Sequence, residues 1–212
     1  ATLHNIDEVQ RKDVRVGDTV IVRRAGDVIP EVAKVVLEKR PDISKPFKMP
    51  DQCPDCGSNV FRFDDEATFR CTGGLYCPTQ CIQSIIHFTS RRAMNIDGLG
   101  EKLVEQLFTA GLIKNVADIY EIQIKDLEML ERMGEKSSIN LITAIHNSKT
   151  TRLDKFLYSL GIREVGESTA RSLANYFASL DKLMDANGEK LIEVPDVGPV
   201  VARNIKNFFE ED

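Results

Sequence analysis

The sequence repeats one short phrase four times: a hydrophobic residue, two variable residues, a second hydrophobic residue and a glycine. The copies occupy residues 96–100, 130–134, 162–166 and 194–198, so the closing glycines lie 34, 32 and 32 residues apart. An aliphatic residue stands seven positions after each glycine, namely Leu107, Leu141, Leu173 and Ile205. This spacing predicts that each phrase leads into a helix with its apolar face turned inward. The chain therefore repeats a unit of one turn and one helix.

Each closing glycine is expected to adopt a positive φ at a helix start and to let another molecule approach the backbone closely. The first N–H groups of a helix lack internal partners and carry the positive end of the helix dipole, so they suit a phosphate oxygen. Four such sites in series indicate a ligand with many phosphates. Any single glycine is also consistent with a plain turn or cap, but four copies in phase favour binding.

The phrase resembles the helix-hairpin-helix motif, in which such a hairpin holds the DNA backbone across the minor groove. The first copy carries both glycines of that motif, whereas Arg132, Glu164 and Asp196 take the earlier glycine's place in the other copies. The predicted DNA-contacting glycines are Gly98, Gly100, Gly134, Gly166 and Gly198.

The charge is unusual for a DNA-binding chain, because the formal net charge is −5 and non-specific DNA binding usually depends on Lys and Arg. Residues 1–50 hold ten basic and eight acidic side chains, whereas residues 93–212 hold fourteen basic and twenty acidic ones. The repeats are therefore expected to bind through backbone N–H groups and a few placed cations. The candidates are Lys102, Lys136, Arg171 and Arg203, each of which is equally well explained as a solvated helix-face charge.

The length of 212 residues, 42% of them hydrophobic, allows one large domain or two to three small ones. The sequence contains no run of eighteen apolar residues and no signal-like N-terminus, which predicts a cytoplasmic protein without membrane insertion. It begins with Ala1 rather than Met and leads almost at once into patterned sequence. We therefore expect a piece of a longer protein.

All five cysteines lie between positions 53 and 81, and the first two form a Cys-x2-Cys pair followed by glycine. Such a pair points two thiolates at one tetrahedral ion, and a second pair after fourteen further residues completes a four-sulfur zinc site. Four thiolates leave no open coordination position, so the zinc is predicted to be structural. The odd number of cysteines and a reducing compartment disfavour disulfides. The predicted ligands are Cys53, Cys56, Cys71 and Cys77.

Two alternative zinc ligands stay open. Cys81 could replace either member of the second pair, because the spacing there is less regular, and His87 is a remoter option. A fifth cysteine that binds no metal is more often a small buried residue than a reactive one.

The N-terminal segment is predicted to form a β-hairpin. Residues 14–22 alternate like a strand, residues 23–30 are typical of a loop, and residues 31–37 alternate again. Such hairpins are frequent in small barrels, including the OB-fold. In the predicted loop, Arg23 and Arg24 could contact phosphates, and Val28 and Ile29 could lie against sugars or base edges. Val28 and Ile29 are equally consistent with core positions at a strand start.

Taken together, several strings resemble the bacterial NAD-dependent DNA ligase family, in the same order and over nearly the whole chain. They are residues 1–5, 23–30, the cysteine cluster with Cys71-Thr-Gly-Gly, residues 87–94 and residues 156–166. The resemblance implies a mainly α, multidomain fold. Its domains would be a partial OB-fold at 1–47, incomplete at its N-terminus, a four-cysteine zinc finger at 48–81, and four helix-hairpin-helix motifs at 82–212.

The family's reaction needs a lysine that takes AMP from NAD and passes it to the 5′-phosphate of a nick in duplex DNA. That lysine lies in Lys-x-Asp-Gly, and the nearest string here, residues 95–98, begins with Asn95. The resemblance therefore implies a fragment without the nucleophile, which does not itself bind NAD or Mg²⁺. Its partners would be the adenylation and BRCT domains of the whole enzyme.

The same resemblance implies a clamp on nicked double-stranded DNA without sequence specificity, with Arg24, Val28 and Ile29 facing the DNA near the nick. Two other interpretations stay open. One is a free-standing DNA-binding scaffold of helix-hairpin-helix and zinc modules. The other is a zinc-dependent protein-interaction module whose glycine turns are only structural.

Overall fold

The computed structural model describes residues 1, 3, 5–26, 29–62 and 68–210. The chain divides into two compact units, Ala1–Pro78 and Thr79–Asp212. Val28, one of the predicted DNA contacts, lies outside the described residues. Within the described ranges, no helix is both long enough and apolar enough to cross a membrane.

The first unit opens with helix α1 (Ile6–Arg11), which the sequence pattern did not predict. The side chain of Asn5 caps this helix by accepting hydrogen bonds from the N–H groups of Asp7 (3.0 Å) and Glu8 (3.3 Å). An Asn directly before a helix with acidic residues in its first turn is a common start signal. The buried side of α1 packs against the hairpin that follows it.

Strands β1 (Val20–Ala25) and β2 (Ile29–Val35) pair antiparallel, as the alternating pattern predicts. The first strand begins later than expected, because Gly17 adopts a φ of +89° and interrupts the extended stretch. It also continues through Arg23 and Arg24, so these residues lie on a strand and the predicted loop is wrong there. A cross-strand ion pair stabilises this extension, with 2.5 Å between Arg23 Nε and Glu31 Oε1.

The remainder of the first unit has little regular structure. Strands β3 (Val60–Phe61) and β4 (Arg70–Cys71) form a second, short antiparallel hairpin. One 3₁₀ turn, Leu37–Lys39, precedes this hairpin, and a second, Gly74–Tyr76, follows it.

Helix α2 (Pro78–Thr89) leads into the second unit, in which the described residues form helices and turns only. The helices after it are α3 (Glu101–Thr109), α4 (Ile124–Glu128), α5 (Glu135–Ser148), α6 (Leu153–Ser159), α7 (Glu167–Phe177), α8 (Leu180–Met184), α9 (Gly188–Ile192) and α10 (Pro199–Glu210).

Each repeated phrase is a turn that leads into a helix, as predicted. We call residues 96–100, 130–134, 162–166 and 194–198 the first to fourth hairpins; helices α3, α5, α7 and α10 begin directly after them. The aliphatic residues seven positions past the closing glycines are all at most 2% exposed. The repeat therefore encodes one inward-facing residue per helix, which anchors each hairpin to a core.

The four hairpins share one backbone conformation, but the positive φ does not fall on the closing glycine as expected. Gly100, Gly134 and Gly166 are extended, with φ of −84°, −102° and −83°. The left-handed residue is the third of each hairpin, with φ between +62° and +87°. The chain reverses there because the N–H of the fourth residue donates to the carbonyl of the first, as from Val165 to Ile162 at 3.0 Å. The left-handed residues are Gly98, Arg132, Glu164 and Asp196.

Replacing Glu164 by glycine should stabilise the second unit, because glycine adopts a φ of +62° without the clash that a Cβ causes. We expect the free energy of unfolding to rise by about 0.5 kcal/mol, since the freedom of glycine in the unfolded chain offsets part of the gain. The same replacement at Glu105, inside α3 and exposed, should lower it by about 1 kcal/mol. Chemical denaturation that shows equal effects at both positions would contradict the role of the backbone.

Candidate nucleic-acid interface and metal centre

The four cysteines that the spacing predicts as ligands come together in the first unit. Cys53 and Cys56 lie in the turn before β3, Cys71 ends β4, and Cys77 follows the 3₁₀ turn. Their Sγ atoms all lie within 4.8 Å of one another. Four thiolates at about 2.3 Å from one ion would be about 3.8 Å apart, so this donor set fits a single tetrahedral zinc ion.

The surroundings of the cluster shift the pKa values of two ligands in opposite directions. Hydrogen bonds from Ser58 lower the pKa of the Cys56 thiol to about 6 and so favour the thiolate that binds metal. The backbone N–H of Gly73 donates to Cys71 Sγ at 3.3 Å and favours its thiolate, but burial and the neighbouring thiols outweigh this and raise the pKa of Cys71 to about 12. The turn that carries the first two ligands is closed by a hydrogen bond of 2.9 Å from the Gly57 N–H to the Cys53 carbonyl. The protein therefore orients the ligands by its own backbone and holds at least one in a readily ionised state.

The two alternative ligands lie in the second unit and are engaged there. Cys81 is 1% exposed, and its Sγ donates a hydrogen bond of 2.6 Å to the Lys114 carbonyl. The Nε2 of His87 lies 2.8 Å from the Tyr158 carbonyl. In the described part of the chain, neither side chain belongs to the thiol cluster. Cys81 is thus a small buried residue.

The helix starts at the first three hairpins differ from those of α8 and α9 in how their N–H groups are satisfied. Helices α8 and α9 are capped by Ser179 and Asn187, whose side chains accept from the N–H groups of Lys182 and Lys190. Helices α3, α5 and α7 instead begin after glycine, and no side chain among the described residues caps them. Their first N–H groups therefore remain available to an external acceptor.

The space in front of each closing glycine is open. A Cβ placed on any of the four would meet no atom within 4 Å. Internal packing therefore does not require glycine at these positions. The φ values of Gly100, Gly134 and Gly166 do not require it either, because all three are extended. A group from outside that comes close to the backbone does account for glycine there. The residues concerned are Gly100, Gly134, Gly166 and Gly198.

The predicted cations stand beside these helix starts. Lys102 and Lys136 are the second residues of α3 and α5, and Arg171 and Arg203 are the fifth residues of α7 and α10. All four are exposed, and none forms an ion pair with another described residue. The first residue of α3, α5 and α7 is a glutamate, so each cation also offsets a nearby negative charge.

Two arginines that the sequence analysis gave no role lie next to the hairpins. An open cavity of about 510 Å³ borders the first hairpin, and its lining includes Ser90, Arg91 and Asn95. Arg91 is exposed, and its neighbour Arg92 pairs with Glu167 at 3.3 Å. Their position could have been noticed in the sequence, because two adjacent arginines stand shortly before the first hairpin.

Of the DNA contacts predicted in the first unit, the structure brings only some together on an exposed surface. Arg24 and Ile29 are exposed near the closed end of the β1–β2 hairpin. Ile29 is 58% exposed, so its interpretation as a core residue is not supported. Arg23 is also exposed, but its guanidinium is held by Glu31 on the neighbouring strand.

Comparison with known families identifies these parts. A family model described as the NAD-dependent DNA ligase OB-fold domain matches residues 1–44, and one described as the NAD-dependent DNA ligase C4 zinc finger domain matches residues 52–78. This chain matches the OB-fold, zinc-finger and helix-hairpin-helix region of NAD-dependent DNA ligases. A SAM-like helix-hairpin-helix tandem model matches residues 90–147 and a helix-hairpin-helix motif model matches residues 155–212, so both hairpin pairs of this ligase region are accounted for.

Two DNA ligases, from Alkalilimnicola ehrlichii and Nitrosococcus oceani, are each 57% identical to the chain over 211 residues. The match includes 100% of this chain but only 31% of each relative. The chain thus spans about a third of the length of these ligases. The predicted mainly helical fold, with partial OB-fold strands, a zinc finger and helix-hairpin-helix motifs, is confirmed, as is the structural zinc.

Replacing Cys53 by serine should release the zinc ion, because the ion would keep only three thiolate ligands. We expect atomic absorption to find well under one zinc per chain. The first unit should lose its thermal transition, since zinc binding contributes about 10 kcal/mol or more to small modules of this kind. The helical circular dichroism of the second unit should persist. Cys81→Ala, the control, should keep its zinc, and a full zinc content in Cys53→Ser would contradict the ligand set.

A methyl group at Gly73 would lie 2.8 Å from Ser58 Oγ, 3.0 Å from Cys56 Sγ and 3.2 Å from Cys71 Sγ. Gly73→Ala should therefore displace the ligands or the groups that orient them, and lower zinc affinity by about 10- to 100-fold. Competition with a chromophoric chelator measures this. Gly134→Ala, where the added Cβ meets nothing, should leave zinc affinity unchanged. Equal affinities in the two variants would show that the cluster shifts without cost.

Proposed function

We propose that this chain is the part of an NAD-dependent DNA ligase that holds nicked duplex DNA, and that it does so through backbone N–H groups at four helix starts. One observation carries the proposal. Four hairpins of the same backbone shape present open glycines, and the helix starts after the first three lack the side-chain cap that α8 and α9 have. A row of phosphate oxygens would supply the acceptors that the protein leaves out.

The charge distribution supports DNA binding through backbone contacts rather than through a basic surface. Residues 93–212 hold more acidic than basic side chains, so the long-range field of this region does not attract DNA. A dipole and two or three N–H groups act only at short range, at the first turn of each helix. Lys102, Lys136, Arg171 and Arg203 would each contribute one local positive charge. Phosphate contacts carry no base information, so binding would be independent of sequence.

In the first unit, Arg24 and Ile29 are the residues best placed to meet the duplex. Arg24 is an exposed cation on β1, and the exposed side chain of Ile29 lies at the start of β2. Arg23 would contribute less, because Glu31 already neutralises it. An arginine with an adjacent apolar residue suits the sugar and phosphate edge of a minor groove.

The chemistry of ligation would depend on the rest of the enzyme. AMP transfer requires a nucleophilic amine, and the position nearest to the family's lysine string is occupied here by Asn95, which lines the cavity at the first hairpin. NAD and Mg²⁺ would act on the adenylation domain, outside this chain. The part played by this chain would be to hold the 5′-phosphate and 3′-hydroxyl in line, which lowers the entropic barrier of the reaction. It should not ligate alone.

The direct test is fluorescence anisotropy with nicked duplex, intact duplex and single-stranded DNA, each at several salt concentrations. We expect duplex binding whose log–log salt dependence has a slope of about −0.9 per phosphate contact. Binding should not depend on base sequence. Absence of duplex binding by the zinc-loaded chain at low salt, even after the adenylation domain is restored, would overturn the proposal.

Replacing Gly134 by aspartate should separate DNA binding from stability. Aspartate is a good N-cap residue, so the melting temperature should stay the same or rise. Its carboxylate would occupy the open space at the start of α5 and repel a phosphate, so duplex affinity should fall about tenfold or more, the value of one charge-assisted hydrogen bond. Gly134→Asn, of the same size without the charge, should weaken binding less. A fall in melting temperature with unchanged affinity would favour a purely structural glycine.

A further inference from the structure

The second unit contains two hydrophobic clusters among its described residues, and each supports two hairpins. The first cluster runs from Cys81 to Ile145. It includes residues of the first hairpin and of helices α3 and α5, which follow the first and second hairpins. The other runs from Leu157 to Ile205 and includes residues of the third and fourth hairpins. Two hairpin pairs can follow the same duplex only if the two clusters keep a fixed mutual orientation. The contacts between the two clusters therefore decide whether both hairpin pairs can bind one duplex.

His87, in the last turn of α2, makes the most specific of these contacts. Its Nε2 lies 2.8 Å from the Tyr158 carbonyl, and because a carbonyl only accepts, this nitrogen must carry the hydrogen. The two rings meet edge to face, with centroids 4.8 Å apart. A Cβ on Gly161 would lie 3.4 Å from the imidazole Cδ2, so the ring fills the space beside the turn that leads to the third hairpin.

The hydrogen bond from His87 falls on a carbonyl at the end of a helix. Tyr158 belongs to the last turn of α6, where the carbonyls have no N–H partner within the helix. The same carbonyl accepts from the Gly161 N–H at 3.2 Å. A histidine side chain at this place also interacts favourably with the negative end of the helix dipole. A side chain of the first half thus caps a helix of the second half.

Helix α6 itself connects the two clusters. Phe156 packs against the first cluster, whereas the adjacent Leu157 is part of the second. Arg92 and Glu167 add an ion pair between the halves, but both are largely exposed, and such pairs contribute little. The fixed orientation therefore depends on α6 and on the side chain that caps it.

We infer that His87 is a positioning residue for DNA binding: it caps α6 from the opposite cluster and so holds the first and second hairpins in line with the third and fourth. The inference rests on the proposed function, because it assumes that all four hairpins contact one duplex. His87 itself touches no DNA in this account. Its loss should leave each hairpin pair intact and disturb only their joint action.

The test compares His87→Phe with His87→Gln. Phenylalanine keeps the ring but has no donor, whereas the amide nitrogen of glutamine stands where Nε2 stands and can restore the hydrogen bond. His146→Phe, on the exposed side of α5, is the control for the same chemical change elsewhere. Affinity is measured for a duplex of about 30 base pairs and one of about 10, which is a single helical turn, at several salt concentrations.

We expect His87→Phe to bind the long duplex about tenfold more weakly, because one hairpin pair no longer raises the effective concentration for the other. The salt slope should fall, since fewer phosphates are contacted together. Affinity for the short duplex should not change, and His87→Gln and His146→Phe should resemble the unmodified chain. If His87→Phe does not fold, His87→Asn, whose amide nitrogen matches Nδ1 and cannot reach the carbonyl, takes its place.

Three results would overturn the inference while leaving the proposed function intact. They are an unchanged salt slope and long-duplex affinity in His87→Phe, an equal loss on both duplexes, and a failure of His87→Gln to restore binding. If the unmodified chain binds neither duplex, the proposed function itself fails. The two failures are thereby distinguished in one set of titrations.

Discussion

Among the described residues, no side chain caps the first-turn N–H groups of α3, α5 and α7, and this constraint explains much of the second unit. A helix start without a cap is a local cost. The chain accepts that cost at α3, α5 and α7, although it uses Ser179 and Asn187 as ordinary caps nearby. Open glycines, left-handed turns and one buried aliphatic residue per helix all serve to present these groups at the surface. Such groups give a net acidic region a short-range means of holding a polyanion.

The two units reach their stability by different routes. The second unit buries two clusters of aliphatic side chains, whereas the first has one small cluster and a thiol cluster that fits zinc. In the first unit a metal site takes the place of a larger hydrophobic core. Gly73 has no room for a side chain there, because it lies beside two thiols of the cluster and the hydroxyl of Ser58. In the second, specificity of arrangement comes from a few polar contacts such as that between His87 and Tyr158.

Features that depend on local spacing could be predicted from the sequence. The hairpins, the buried aliphatic residues and the four clustered cysteines each follow from residues close together in the chain. Contacts that depend on register or tertiary packing could not. The pairing of Arg23 with Glu31 requires the strand alignment, and His87 and Tyr158 are 71 positions apart. The left-handed residue of each hairpin was misplaced by two positions, because a backbone hydrogen bond sets it and glycine marks it in one copy only.

The most direct measurement of the central claim is an NMR titration of the second unit's backbone amides within the zinc-loaded chain, using nicked duplex. If phosphates bind at the helix starts, the largest shifts should fall on the first-turn amides of α3, α5, α7 and α10, and the capped starts of α8 and α9 should change little. Shifts that cluster instead on the basic side chains, or that leave the first-turn amides of these four helices unchanged, would contradict the claim that the backbone holds the DNA.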